Sequence, residues 1–151
     1  MQRWIAIGVG AMIVLLGGAY FGLKSYKQNR PSPIWVPMPI NPELPIEKQD
    51  EIARELKKKL SDREILAVVS KDLGLMGEWK LPTDAACADE LAMRMFVRAG
   101  EHETPMGKTP TINIGVNGKV KDRAVSEKIS MRLMDDVFKI LGIEPPPKKE
   151  F

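Results

Sequence analysis

The hydrophobic pattern divides the chain into one unbroken apolar run and a longer stretch where apolar positions recur at regular intervals. The 20 residues from Trp4 to Leu23 carry no charge, although five of them are glycines. As a helix rising about 1.5 Å per residue, this run covers about 30 Å, one bilayer core, with its backbone hydrogen bonds closed locally. Trp4 and Tyr20 suit the headgroup boundaries at its two ends. The expectation is a membrane helix. A cleaved signal peptide is the competing reading, with Met1-Gln2-Arg3 as the basic start and Gly17-Gly18-Ala19 as the small residues a peptidase prefers. Apolarity that continues through Leu23 favours retention. Basic residues at both ends argue against a buried core helix, and the absence of cysteine here excludes a lipoprotein anchor. Gly18 and Gly22 form a G-x-x-x-G step, the candidate contact for packing against another membrane helix. Lys24, Lys27 and Arg30 form a basic flank placed for lipid headgroups.

Past the flank the pattern changes. Residues 31–45 hold six of the twelve prolines, which reads either as an extended spacer or as a strand. Ile34, Val36, Met38 and Ile40 repeat at period two, while Pro33, Pro37 and Pro39 share the opposite parity. Successive N–H groups in a strand point to opposite edges, so these prolines remove donors from one edge alone. The expected element is an edge strand whose outer side resists further pairing.

Helical periodicity takes over at Pro45. Ile52, Ala53, Leu56 and Leu60 make the first inward stripe, with acidic residues near the start and Lys57-Lys58-Lys59 at the end, as the helix dipole favours. Ser61-Asp62-Arg63-Glu64 reads as a capping box opening a second helix, with Ile65, Leu66, Val69 and Leu73 inward and Gly74 as its stop. Thr83 caps a third helix running to about Met95. Phe96–Ala99 and Thr111–Val116 read as an antiparallel strand pair joined by a polar loop. Asn117-Gly118 is expected to turn the chain and Asp122 to cap a last helix ending at Leu141, its stripe being Val125, Ile129, Leu133, Val137 and Ile140. The order β-α-α-α-β-β-α predicts an α+β fold with an antiparallel sheet and a long C-terminal helix. The expected organisation is an anchor with its basic flank over 1–30, a Pro-rich linker or edge strand over 31–45, the α+β domain over 46–142, and a polar tail over 143–151.

Composition narrows the chemistry. One cysteine and one histidine exclude a disulfide framework, a multi-Cys zinc site and a multi-His metal centre. A net charge of +3 lacks the basic stripe expected of a nucleic-acid binder. Gly107-Lys108-Thr109 imitates the end of a phosphate-binding loop, but His102 replaces the required glycine. Pro105 also lacks a needed N–H, and a strand pattern follows where a helix must open. Nucleotide binding is therefore not expected. Glu101-His102-Glu103 offers at most two ligands from adjacent positions, and Asp135-Asp136 reads as a solvated face. Cys87 reads as a small packed side chain; a Cys87–His102 nucleophile pair is the one enzymatic alternative. The expectation is no catalytic, cofactor-binding or metal residue.

Several stretches together resemble the membrane-proximal periplasmic domain of the bacterial chain-length-determinant family, the polysaccharide co-polymerases. They are Ser61-Asp62-Arg63-Glu64-Ile65-Leu66-Ala67-Val68-Val69, Leu73-Gly74-Leu75, Trp79, Leu91, Phe96-Val97, Thr111-Ile112-Asn113-Ile114, and Asp122-Arg123-Ala124 through Ile129. The likeness covers residues 4–141 and rests mainly on apolar spacing. The family's second membrane helix and long helical arm have no counterpart in these residues, and Ser130 and Met131 stand near its usual small-Asn pair. The resemblance implies a single-pass inner-membrane protein with a periplasmic domain. It further implies homo-oligomers or envelope polysaccharide-assembly partners, and a non-catalytic part in surface polysaccharide assembly or export. A membrane-tethered adaptor or structural subunit of another envelope complex is the alternative. Charge alone, with Arg3 and the amine on one side against Lys24, Lys27 and Arg30 on the other, leans toward a cytoplasmic domain; the resemblance places it in the periplasm.

Overall fold

The computed structural model describes residues 22–105 and 107–144. Residues 22–28 are helical, and the chain then passes directly into strand β1 (Pro31–Pro39). Helices α1 (Ile46–Leu60), α2 (Arg63–Asp72), α3 (Leu75–Trp79) and α4 (Asp84–Arg94) follow. Strands β2 (Met95–Thr104) and β3 (Gly107–Lys119) form a hairpin, and a 3-10 turn at Val120–Asp122 leads into helix α5 (Arg123–Leu141). The three strands make one antiparallel sheet in the order β1-β3-β2. The fold is α+β.

Proline parity explains why β1 stands at the edge. Ile40 N donates to the Pro110 carbonyl at 3.2 Å, so the even-numbered residues of β1 direct their N–H groups toward β3. Pro31, Pro33, Pro37 and Pro39 therefore occupy outward positions, which leaves Trp35 as the outward N–H of β1. No fourth strand can zip onto this edge with a full ladder.

The central strand β3 is buried from Thr111 to Val116. Its even positions Ile112, Ile114 and Val116 join Met95 and Val97 of β2 in a single core with the helices. α5 packs on β3 and β1, α1 packs on β2, and α2 packs on α4. The core stripes of α5 (Ile129, Leu133, Val137) and α1 (Ala53, Leu56, Leu60) recur every three or four residues, as the periodicity predicts. On the opposite sheet face, Arg98 stacks between Phe96 at 4.8 Å and Trp35 at 5.9 Å. That sandwich roofs Gly115, which pairs with both aromatic residues.

α5 is seated through small residues. Ser126 and Ser130 are buried, and Ser130 Oγ lies 3.0 Å from the Ile34 carbonyl and 2.9 Å from the Ser126 carbonyl, its one proton shared between them. Opposite, a Cβ on Gly118 would come within 2.3 Å of Ser126 Oγ. A larger residue at any of these places would hold the helix off the sheet.

Four local expectations are corrected. Asn117-Gly118 does not turn the chain, because both residues continue β3 opposite Pro33 and Ser32; the glycine is there for the approach of α5. The stretch between the expected strand pair is not a loop. β2 and β3 stay paired out to Thr104 and Gly107, where Thr104 Oγ1 donates to the Gly107 carbonyl at 2.8 Å. Pairing set up in the buried half propagates through polar residues whose side chains lie beyond the helices. The cap of α2 is Asp62 rather than Ser61, its carboxylate accepting from Glu64 N at 2.8 Å. Asp122 precedes α5 without a side-chain cap. The Thr83 cap is present, its hydroxyl accepting from Ala86 N at 3.1 Å.

The glycines supply a test with opposite signs. A Cβ at Gly115 would lie 2.1 Å from the Ile34 carbonyl and 2.6 Å from Trp35 Cα, both backbone atoms, whereas one at Gly77 meets nothing within 4 Å. Gly115→Ala is expected to cost about 2–3 kcal/mol or more through overpacking. Gly77→Ala in α3 is expected to be neutral or to stabilise by about 0.5 kcal/mol. Urea midpoints of the two variants read both effects.

Candidate functional site: an apolar groove beside the guarded edge

Because β1 is an edge strand, its inward face has helical cover on one side only. Val36, Met38 and Ile40 of this face are half-buried, and they form one wall of an open groove of about 640 Å³. Ile52 of α1 and Met134, Phe138 and Leu141 of α5 form the other walls, with Ile143 and Glu144 at the mouth. α5 ends here at Gly142, whose φ of +67° reverses the backbone, and Ile143 N donates to the Phe138 carbonyl at 2.9 Å. The lining holds no nucleophile or general base apart from the rim carboxylate of Glu144. Its chemistry is that of a receptor for apolar surface.

The residues expected to meet the membrane fall partly within the described part of the chain. Gly18, and with it most of the apolar run, lies outside the described residues. Among the described residues no helix is long and apolar enough to cross a membrane. Gly22 lies in the helical stretch, and a Cβ there would meet nothing within 4 Å. Lys24, Lys27 and Arg30 are exposed. Arg30 lies over the Tyr26 ring at 5.0 Å, and its carbonyl accepts from Val120 N at 3.1 Å. That bond ties the basic flank to the exit of β3.

The weak catalytic candidates are dispersed. Cys87 lies fully buried in the core of α4, whereas His102 lies exposed near the hairpin, opposite Thr109. Desolvation raises the Cys87 thiol pKa, and the Asp84 carboxylate raises it further. A neutral, enclosed thiol is a poor nucleophile. Glu101 is engaged by Lys108 at 3.3 Å across the hairpin. Among the described residues no three His, Cys, Asp or Glu side chains gather to hold a metal. Gly107-Lys108-Thr109 forms the start of β3 rather than the mouth of a helix.

The solvated reading of Asp136 is overturned. Asp136 is buried at 8% exposure on the inner side of α5 and pairs with Arg132, one helical turn earlier. Lys139 approaches the same carboxylate oxygen at 3.4 Å, and Arg132 also reaches Asp72 of α2 at 3.0 Å. Burial opposes the Arg132 charge, but the hydrogen bonds it donates to the Asp136 and Asp72 carboxylates outweigh this and raise the guanidinium pKa above its ordinary value. A signal was present in the sequence: Asp136 stands seven residues after Ile129 and so shares its face.

Compared with models of protein families, with curated proteins and with solved structures, the chain finds no match in any of the three.

Two measurements check these assignments. Asp136→Ala leaves Arg132 half-buried with Asp72 alone and is expected to cost about 2–4 kcal/mol, read by denaturant unfolding. Arg63→Ala, which removes a pair at 3.6 Å between exposed side chains, should leave the midpoint unchanged. Cys87 is expected to resist iodoacetamide in the folded chain and to react once unfolded. Because folding raises its pKa, the associated stability is present below the ordinary thiol pKa of about 8.5 and is lost as pH rises through the higher folded value.

Proposed function

We propose that this chain is a non-catalytic, single-pass inner-membrane protein whose α+β domain assembles laterally with copies of itself in surface polysaccharide assembly or export. The observation that carries the reading is the connection between the apolar run and the domain. Helical residues 22–28 begin within the last two residues of the uncharged segment, and only Asn29 and Arg30 separate them from β1. From Leu23 to Gln28 a helix rises about 8 Å, so a membrane-embedded segment would hold the sheet close to the bilayer.

The element order supports the likeness to chain-length determinants; Cys87 is enclosed in α4, whereas His102 is exposed on the hairpin. The prolines of β1 discourage strand addition at that edge, and the adjacent apolar groove offers a surface for side-chain docking. Tethered copies meet in two dimensions at high effective concentration, so even a modest groove contact suffices.

Crosslinking of the full chain in native membranes is expected to trap dimers and larger species. Ile143→Asp at the groove mouth, where Ile143 is 53% exposed, should reduce them while shifting the unfolding midpoint little. Loss of the gene should alter polymer length. A strictly monomeric species in membranes, or an unchanged length distribution, counts against the reading, as does recovery of the chain from the aqueous fraction. A reporter fused after Phe151 is expected to give a periplasmic signal.

A further inference from the structure

We propose that the end of the domain nearest the N-terminal helix is a docking surface for anionic lipid headgroups, holding the domain down on the bilayer. This rests on the membrane-anchored reading and adds a second contact to it.

β1 begins, β2 begins and β3 ends at one end of the sheet, marked by the pairs Pro31–Lys119 and Met95–Val116. The helical residues 22–28 enter at that end through Arg30. Sequence-distant cations converge there. Lys80 from the end of α3, Arg94 from α4, and Lys119 and Lys121 from the exit of β3 surround one open, polar depression of about 250 Å³. Glu78 and Asp122 are its acidic members. Arg94 is engaged by Glu90 at 2.6 Å and stacks on Trp79 at 4.7 Å. Lys80, Lys119 and Lys121 are exposed and have no ion-pair partner among the described residues. With Lys24, Lys27 and Arg30 they make a basic rim on the side that would face the membrane.

Three features favour a lipid surface over an enclosed anion site. Lys80, Lys119 and Lys121 are all exposed, so their charge is presented outward rather than enclosed. Exposed apolar and aromatic groups interleave with them: Tyr26, Val120 and Met76, a mixture suited to the headgroup layer. The stalk is also short enough to keep the rim within about a Debye length, about 8–10 Å, of the headgroups, the range over which their attraction acts. Lys80 is also the one non-glycine among the described residues with a left-handed backbone, φ +54°, and that conformation sets its side chain at the depression.

The test uses the full chain reconstituted in nanodiscs of phosphatidylcholine alone or with phosphatidylglycerol, read by amide hydrogen exchange over 76–82 and 117–123. Exchange in both segments is expected to slow in the anionic discs. Each lysine is expected to contribute about five-fold, and about 1 M salt should erase the effect. Lys80→Gln, Lys119→Gln and Lys121→Gln combined should abolish the difference while the urea midpoint holds. Equal exchange in both discs, with the chain fully incorporated, overturns this proposal and leaves the anchor reading standing. Failure to incorporate into either disc overturns both. Equal protection by millimolar inorganic phosphate, without anionic lipid, overturns the lipid assignment.

Discussion

The architecture depends on which side of β1 can form hydrogen bonds. With proline at four of its five outward positions, β1 accepts a full ladder on one side only. It must take an edge, and because it pairs with β3, that strand takes the centre of the sheet while the β2–β3 hairpin stays intact. That arrangement buries β3 from both faces and sets its register against β1. The N-terminal helical residues are thereby brought to the end of the sheet where β3 leaves it. Reversing the parity of those prolines would put the missing donors into the ladder itself.

The second constraint is close approach. α5 reaches the sheet because Ser126, Ser130 and Gly118 are small, and Gly115 admits the backbone of β1 beneath the Trp35–Arg98–Phe96 stack. α5 then carries Ile129, Leu133 and Val137 into the core and leaves Phe138 and Leu141 beside the uncovered part of β1. The groove is thus a by-product of an edge strand meeting the last turn of a helix. The same helix places Arg132 between Asp136 and Asp72, which joins α5 to α2 by charge as well as by packing.

The two ends of the sheet differ in character. Toward the hairpin, Glu101, Glu103 and Lys108 project from strands that have outrun the helices. At the opposite end, cations from helix, strand and turn gather around Trp79. A domain polarised in this way has a preferred orientation near a charged plane, because its nearest charges dominate once distance exceeds the Debye length. A tether through the N-terminal helix would act on the same end of the molecule as this charge.

Periodicity along the chain was sufficient for the helix stripes, the edge character of β1, the Thr83 cap and the α+β class. Each reflects a local rule: side-chain period, a missing N–H, or a hydroxyl one turn from an unsatisfied amide. The extent of β2 and β3, the straight passage of β3 through Asn117-Gly118, the burial of Asp136 and the meeting of Lys80, Arg94, Lys119 and Lys121 were not available from local pattern. They arise because pairing propagates from a buried half-strand into polar sequence, and because helix packing brings residues tens of positions apart into one place. Sequence determined which faces are apolar and which edge cannot pair; only the tertiary structure decided which charges and surfaces those faces bring together.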